Sequence, residues 1–137
     1  MKQIKLITLL LICSNIVFGQ FKKYERFTVN NRNNLALLET GMTKTEVVTI
    51  MGDRSISSFG GAFVGNPYKT ELFKTTQGNS ISVFWYYTQI LTTNGVVDPD
   101  ELTPVVFING KMQGFGWSFY RETHKHIDIT IRNIENK

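Results

Sequence analysis

Two imidazoles and a carboxylate near the C-terminus are the nearest this chain comes to a constellation with chemistry. His124, His126 and Asp128 stand at i, i+2 and i+4. On a strand that spacing puts all three on one face, and such a set can hold a divalent cation. Ile127, Ile129 and Ile131 would then occupy the other face, so the simpler reading is the solvated side of an edge strand. Asp98, Asp100 and Glu101, beside Asn94 and Gly95, form a second cluster of oxygen ligands. An EF-hand loop needs its glycine after the first ligands, whereas Gly95 precedes these acids. That loop is excluded, and only a nonstandard calcium site is left. No metal or other cofactor is expected.

The search for a nucleophile ends early. No serine sits in a Gly-x-Ser-x-Gly elbow, and the only two histidines lie at the C-terminal end. Gly60, Gly61 and Gly65 lack the lysine and the strand–turn–helix setting of a phosphate loop. Paired carboxylates for acid–base work need burial to raise one pKa. Glu71 is the one acid inside the four main predicted strands, and it is expected at the surface or paired with Lys69 or Lys74. The chain is therefore not expected to be an enzyme.

Residues 1–19 read as a cleaved export signal. Lys2 and Lys5 supply its positive start, Leu6 to Ile12 and Ile16 to Phe18 its apolar stretch, and Val17-Phe18-Gly19 its cleavage site. The apolar run is shorter than the roughly 18 residues that span a bilayer. Lipidation of Cys13 is the lesser alternative, because Ile12 stands where a lipoprotein peptidase wants a small residue. Cleavage takes two of the 15 Lys+Arg and leaves 13 against 11 acids, a charge of +2 on 118 residues with no cysteine. A charge of +2 is too small for the basic stripe of a nucleic-acid binder. A single cysteine excludes a disulfide framework. A chain of this length buries about two thirds of its unfolded surface, enough for one core.

Residues 20–34 are polar and Asn-rich and read as an N-terminal linker, with Phe21, Tyr24 and Phe27 at a spacing that lets them dock on the core. Two short helices are predicted next. Asn34 caps the first, Leu35, Leu37 and Leu38 form its apolar side, and Gly41 ends it. Thr43-Lys44-Thr45-Glu46 is a capping box for the second, with Met42 and Val47 as a hydrophobic staple and Gly52 as its end. Ser55 to Pro67 reads as loop. From Tyr68 the period becomes two: a strand to Thr76, a turn at Gln77-Gly78-Asn79, then a strand over Ile81 to Thr88. In the latter Ile81, Val83, Trp85 and Tyr87 share one face, and Phe84 and Tyr86 the other. After a polar loop, Val105 to Ile108 pairs with Lys111 to Tyr120 across Asn109-Gly110, a two-residue hairpin signal. Phe115, Trp117 and Phe119 alternate there with Gly114, Gly116 and Ser118. The bare face so formed admits a close neighbour, first of all an aromatic or a helix of the same domain. Residues 121–137 are a tail and a candidate fifth strand.

The order of these pieces resembles a known group. Leu-x-x-Gly-Met-Thr-Lys-x-Glu-Val-x-x-Ile-Met-Gly, from Leu38 to Gly52, is similar to the opening of small bacterial envelope proteins of the SmpA/OmlA (BamE-like) superfamily. The second half resembles a narrower, functionally uncharacterised family within it. The residues that carry this are Asn66 to Glu71, Val83 to Thr88, and Asp100 to Phe107 running on through Asn109-Gly110-Lys111 to Gly114-Phe115-Gly116-Trp117-Ser118-Phe119-Tyr120. The resemblance covers about residues 35–120. It implies an α+β domain outside the cytoplasm, two short helices packed on an antiparallel sheet, and no catalytic residues to carry over. Better-known relatives are outer-membrane lipoproteins that assist β-barrel assembly; this chain departs from them in its weak lipobox. The architecture also resembles β-lactamase-inhibiting proteins, so the fold alone does not fix the function.

The expectation is thus an α+β domain of two N-terminal helices on four or five antiparallel strands, with Val47, Ile50, Met51, Val83, Trp85, Phe107 and Trp117 in the core. Its expected role is a non-enzymatic, exported protein-interaction module of the periplasm or outer membrane, with an envelope protein as partner and no transmembrane segment. Phe63, Tyr68 and Tyr86 are its candidate contact residues, because aromatics the core does not absorb anchor interfaces. The alternative is a small periplasmic ligand- or metal-binding protein using residues 98–101 or the histidine pair.

Overall fold

The structure is a computed structural model that describes residues 19, 21–57, 63–75, 77–92 and 94–125. Helix α1 covers residues 21–35, the stretch whose composition reads as a linker. Its buried residues, Tyr24, Phe27, Thr28, Asn31 and Leu35, follow helical spacing. Burial of that stripe outweighs the weak helix propensity of the asparagines. The helix expected from Leu35 to Gly41 is instead a turn that continues α1, held by Ala36 N–H to Arg32 O at 3.3 Å and Leu38 N–H to Leu35 O at 3.2 Å. Leu38 is buried there and Leu37 is exposed. Gly41, at φ 93°, sends its N–H to Met112 O and starts a segment that runs beside the last strand.

Helix α2 spans Lys44–Met51, and its capping box forms as expected. Glu46 N–H donates to Thr43 Oγ1 at 3.2 Å, and Thr43 N–H donates to Glu46 Oε2 at 2.7 Å. Accepting bonds from the Thr43 backbone and side chain holds the Glu46 carboxyl below its usual pKa range. Gly52, at φ 73°, closes the helix with its N–H on Val48 O. Residues 55–67, read as loop, contain two short strands, β1 (Ile56–Ser57) and β2 (Phe63–Val64), paired antiparallel.

Strands β3 (Lys69–Lys74), β4 (Ser80–Tyr87), β5 (Leu102–Ile108) and β6 (Lys111–Phe115) form an antiparallel sheet in that spatial order. Asn109 and Gly110 turn the β5–β6 hairpin at φ 50° and 81°, the positive angles a two-residue hairpin loop requires. The alternation read in β4 holds, but both of its faces are covered. Ile81, Val83, Trp85 and Tyr87 pack with Tyr24 and Phe27 of α1, Ile56 and Val64. On the opposite face Tyr86, Val105, Phe107 and Met112 pack with Leu35, Leu38 and with Val47 and Met51 of α2. Of the expected core, Val47, Met51, Val83, Trp85 and Phe107 are buried, while Ile50 and Trp117 are half-buried.

The final predicted strand stops short. β6 ends at Phe115, Gly116 turns at φ 91°, and helix α3 follows over residues 117–125. The sheet face around Trp85 needs a cover, and helical spacing brings Trp117 and Tyr120 onto it, with ring centroids 5.1 and 4.8 Å from Trp85. Trp117 Nε1–H donates to Leu102 O at 2.9 Å. The bare position at Gly114 is filled by the Phe119 ring of α3, 2.8 Å from where a Cβ would stand. That is the close aromatic neighbour a glycine there admits. The expected edge strand beyond residue 125 lies outside the described residues.

Candidate interaction site

One end of the molecule is built from α1, the end of α2 and the β1–β2 pair. Asn31 and Asn66 join these elements by a reciprocal amide pair. Asn31 Nδ2–H donates to Asn66 Oδ1 at 2.9 Å, and Asn66 Nδ2–H donates to Asn31 Oδ1 at 2.7 Å. Each amide spends its second proton on a carbonyl: Asn31 on Tyr87 O at 2.8 Å, Asn66 on Met51 O at 3.0 Å. The end of β4 and the C-terminal carbonyl of α2 are thereby tied to the side of α1. Asn31 is 1% exposed, and burial without these partners would cost a desolvation penalty per polar group.

A groove runs along α1 above that pair. Its inner part, about 340 Å³, is lined by Asn30, Asn34, Asn66, the end of α2 and Arg54. Its outer part, about 230 Å³, is lined by Lys23, Arg26, Ser55 and Ile56. Phe27, Asn30 and Arg54 line both parts, which makes them one groove. Among the described residues no acid lines either part. Beside it, Tyr24 Oη–H of α1 donates to Ser57 O at 3.0 Å, and Ser57 is the register partner of Phe63. Phe63 is 76% exposed while its neighbour Val64 is buried, so the β1–β2 ribbon holds an aromatic ring outward, paired with Ser57 next to the groove-lining Ile56.

The sequence-selected residues divide. Phe63 is on the surface and Tyr68 is partly so, at 37% exposure. Tyr86 is 0% exposed and is therefore no surface contact. It faces the α2 side of the sheet, and burial pushes its phenol pKa well up. Glu101 is also corrected. Its side chain is buried, and its carboxylate accepts three backbone N–H groups: Leu91 and Thr92 at 2.6 and 3.0 Å on Oε1, and Asp98 at 3.0 Å on Oε2. It clasps the loop instead of facing a cation. Asp98 accepts from Thr92 Oγ1 at 3.2 Å, and Asp100 is exposed. Among the described residues no three of His, Cys, Asp and Glu converge as a metal set. His124 lies on helix α3, not on a strand, its ring 5.3 Å from Phe73 and 4.8 Å from Tyr120. His126 and Asp128 lie outside the described residues. Glu71 pairs with Lys69 at 2.9 Å, as expected, and also accepts from Trp85 Nε1–H. Thr43 and Glu46 form the cap of α2, and Thr43 also bridges to Lys111 of β6.

The sequence reading missed Asn30, Asn31, Asn34, Arg54 and Asn66. A signal was present: the spacing of Tyr24 and Phe27 continues through Asn31 to Leu35, which extends a helix across the supposed linker and lines its asparagines up on one side.

No helix among the described residues is long and apolar enough to cross a membrane. Neither a curated protein nor a solved structure matches the chain. A family model described as "Protein of unknown function (DUF3192)" matches residues 19–122, from the start of α1 nearly to the end of α3. With most of its length so matched, the chain belongs to the DUF3192 family.

Proposed function

We propose that this protein is an exported, non-enzymatic envelope protein that works as a protein-interaction module in outer-membrane assembly or maintenance. The observation that carries the reading is Phe63, a large apolar side chain held 76% exposed on a paired ribbon beside an open groove. Exposed aromatics of this kind are typical interface anchors, and Tyr68 adds a second, smaller ring surface. Export is supported by the charged, apolar and small-residue pattern of residues 1–19. In this reading the chain is released after Gly19 and not tethered through Cys13. The placement among BamE-like envelope proteins is supported by the Leu38–Gly52 motif and by helices on an antiparallel sheet.

The test is Phe63→Ser in the cells that make the protein. A surface substitution of this kind leaves stability within about 0.5 kcal/mol, so the melting temperature should hold while crosslinked capture of an envelope protein falls. Unchanged capture would remove Phe63, and with it the main support for the interaction reading.

A further inference from the structure

We propose that the groove along α1 receives an extended, acidic peptide segment of the partner. This inference rests on the interaction reading and names the chemistry of what is bound. Lys23, Arg26 and Arg54 line the groove, and among the described residues none of the three has a carboxylate within ion-pair distance or a hydrogen-bond partner. The two acids next to them in sequence, Glu25 and Asp53, are not part of the lining. Three cations around one concavity, with no anion among the described residues to answer them, complement negative charge brought from outside.

Shape and hydrogen bonding favour a peptide over a membrane surface. Lys23 to Asn34 rises about 16 Å along the helix, the span of about five residues of extended chain. A concave channel of this length admits a single strand, whereas a bilayer presents a broad surface. The Asn30 side chain has no hydrogen bond among the described residues, and the Asn34 side chain makes only a long one, 3.4 Å to Met51 O. Their amides offer a donor and an acceptor each, which is what a peptide backbone asks for. The two ends differ. The inner end lies against the C-terminal turn of α2, whose carbonyls carry partial negative charge. Acidic side chains therefore belong at the outer end, by Lys23 and Arg26 and reaching Arg54 where the two parts meet, and neutral residues at the inner end by Asn34 and Asn66.

The experiment is selection of random dodecapeptides displayed on phage, against the protein purified from cells that process it. Selected peptides should be rich in Asp and Glu at one end and neutral at the other. Their affinity should fall about tenfold or more in Arg26→Glu/Arg54→Glu, through like-charge repulsion, and should weaken with added salt. Both arginines are exposed, so an unchanged melting temperature shows that the variant is folded; Arg26→Gln/Arg54→Gln should give an intermediate loss. Peptides without an acidic excess, no selected peptide at all, or binding that survives the reversal would overturn the proposal. So would retention on phosphatidylglycerol vesicles that the same reversal abolishes, which would give the groove to lipid. If the peptides fail while Phe63-dependent capture persists, the interaction reading stands and this partner chemistry falls.

Discussion

Glu101 offers the sharpest test of how this domain is held together. Its side chain is 0% exposed, and it accepts three backbone N–H groups of the loop that joins β4 to β5. Hydrogen bonds to a charged acceptor contribute about 1.5–3 kcal/mol each, and an orphaned buried donor costs about 1–3 kcal/mol. Leu91 and Thr92 are exposed residues, so water can reach their amides once the carboxylate is gone, and each loss belongs near the low end. Glu101→Ala should therefore cost about 3 kcal/mol in all. Glu101→Gln keeps the oxygen that serves Leu91 and Thr92, but sets an amide N–H against Asp98 N–H. It should cost about 1–2 kcal/mol. Urea unfolding followed by Trp85 and Trp117 fluorescence reads both, at an unchanged denaturant slope. A Glu101→Ala variant within 0.5 kcal/mol of the parent, or a Gln variant as damaging as Ala, would refute the clasp. A calcium-dependent rise in the parent's stability, lost in Glu101→Gln, would restore the cation reading.

Four further outcomes follow from the same packing. Gly114→Ala places a Cβ 2.8 Å from Phe119 Cδ2 and should cost about 1–3 kcal/mol by overpacking; in a Phe119→Ala background the added cost should nearly vanish, and simple additivity would contradict the contact. Tyr86 Oη is buried without a hydrogen-bond partner among the described residues, so Tyr86→Phe should be neutral or stabilising by about 1 kcal/mol, and a loss above that in denaturant would reveal a hidden partner. Burial raises the phenol pKa of Tyr86 and Tyr87. Above about pH 10 the unfolded chain therefore loses these protons while the native chain keeps them, and stability should fall with rising pH. An alkaline unfolding series should show a shallower fall in Tyr86→Phe. Asn31→Ala strands the Asn66 amide and Tyr87 O and should cost about 2–4 kcal/mol, measured as a lower midpoint; a near-neutral result would deny the amide pair its role.

The sequence was most legible where local chemistry decides the structure. The Thr43–Glu46 cap, the Asn109-Gly110 turn and the alternation along β4 each follow from a few adjacent residues, and each is present. It was least legible where a distant surface decides. Residues 21–35 are poor helix formers by composition, and only the stripe from Tyr24 to Leu35, buried against the sheet, makes them a helix. Trp117 and Phe119 alternate like strand residues, yet the uncovered ring of Trp85 and the space at Gly114 draw them into α3. Tyr86 looked like a spare aromatic because a two-sided sheet cannot be told from a one-sided one until the second helix layer is known. Glu101 looked like a ligand for a related reason: its backbone partners cannot be read from side-chain types. The groove stayed hidden because asparagines carry no signature until a helix aligns them.

The most direct measurement is photo-crosslinking in living cells, with a photoreactive residue at position 63 and, separately, at the exposed position 113 on β6. The interaction account predicts a discrete adduct with an envelope protein from position 63, absent from position 113; the groove proposal adds that reversing the charge of Arg26 and Arg54 abolishes it. Equal labelling from both positions, or no adduct from position 63, would contradict it.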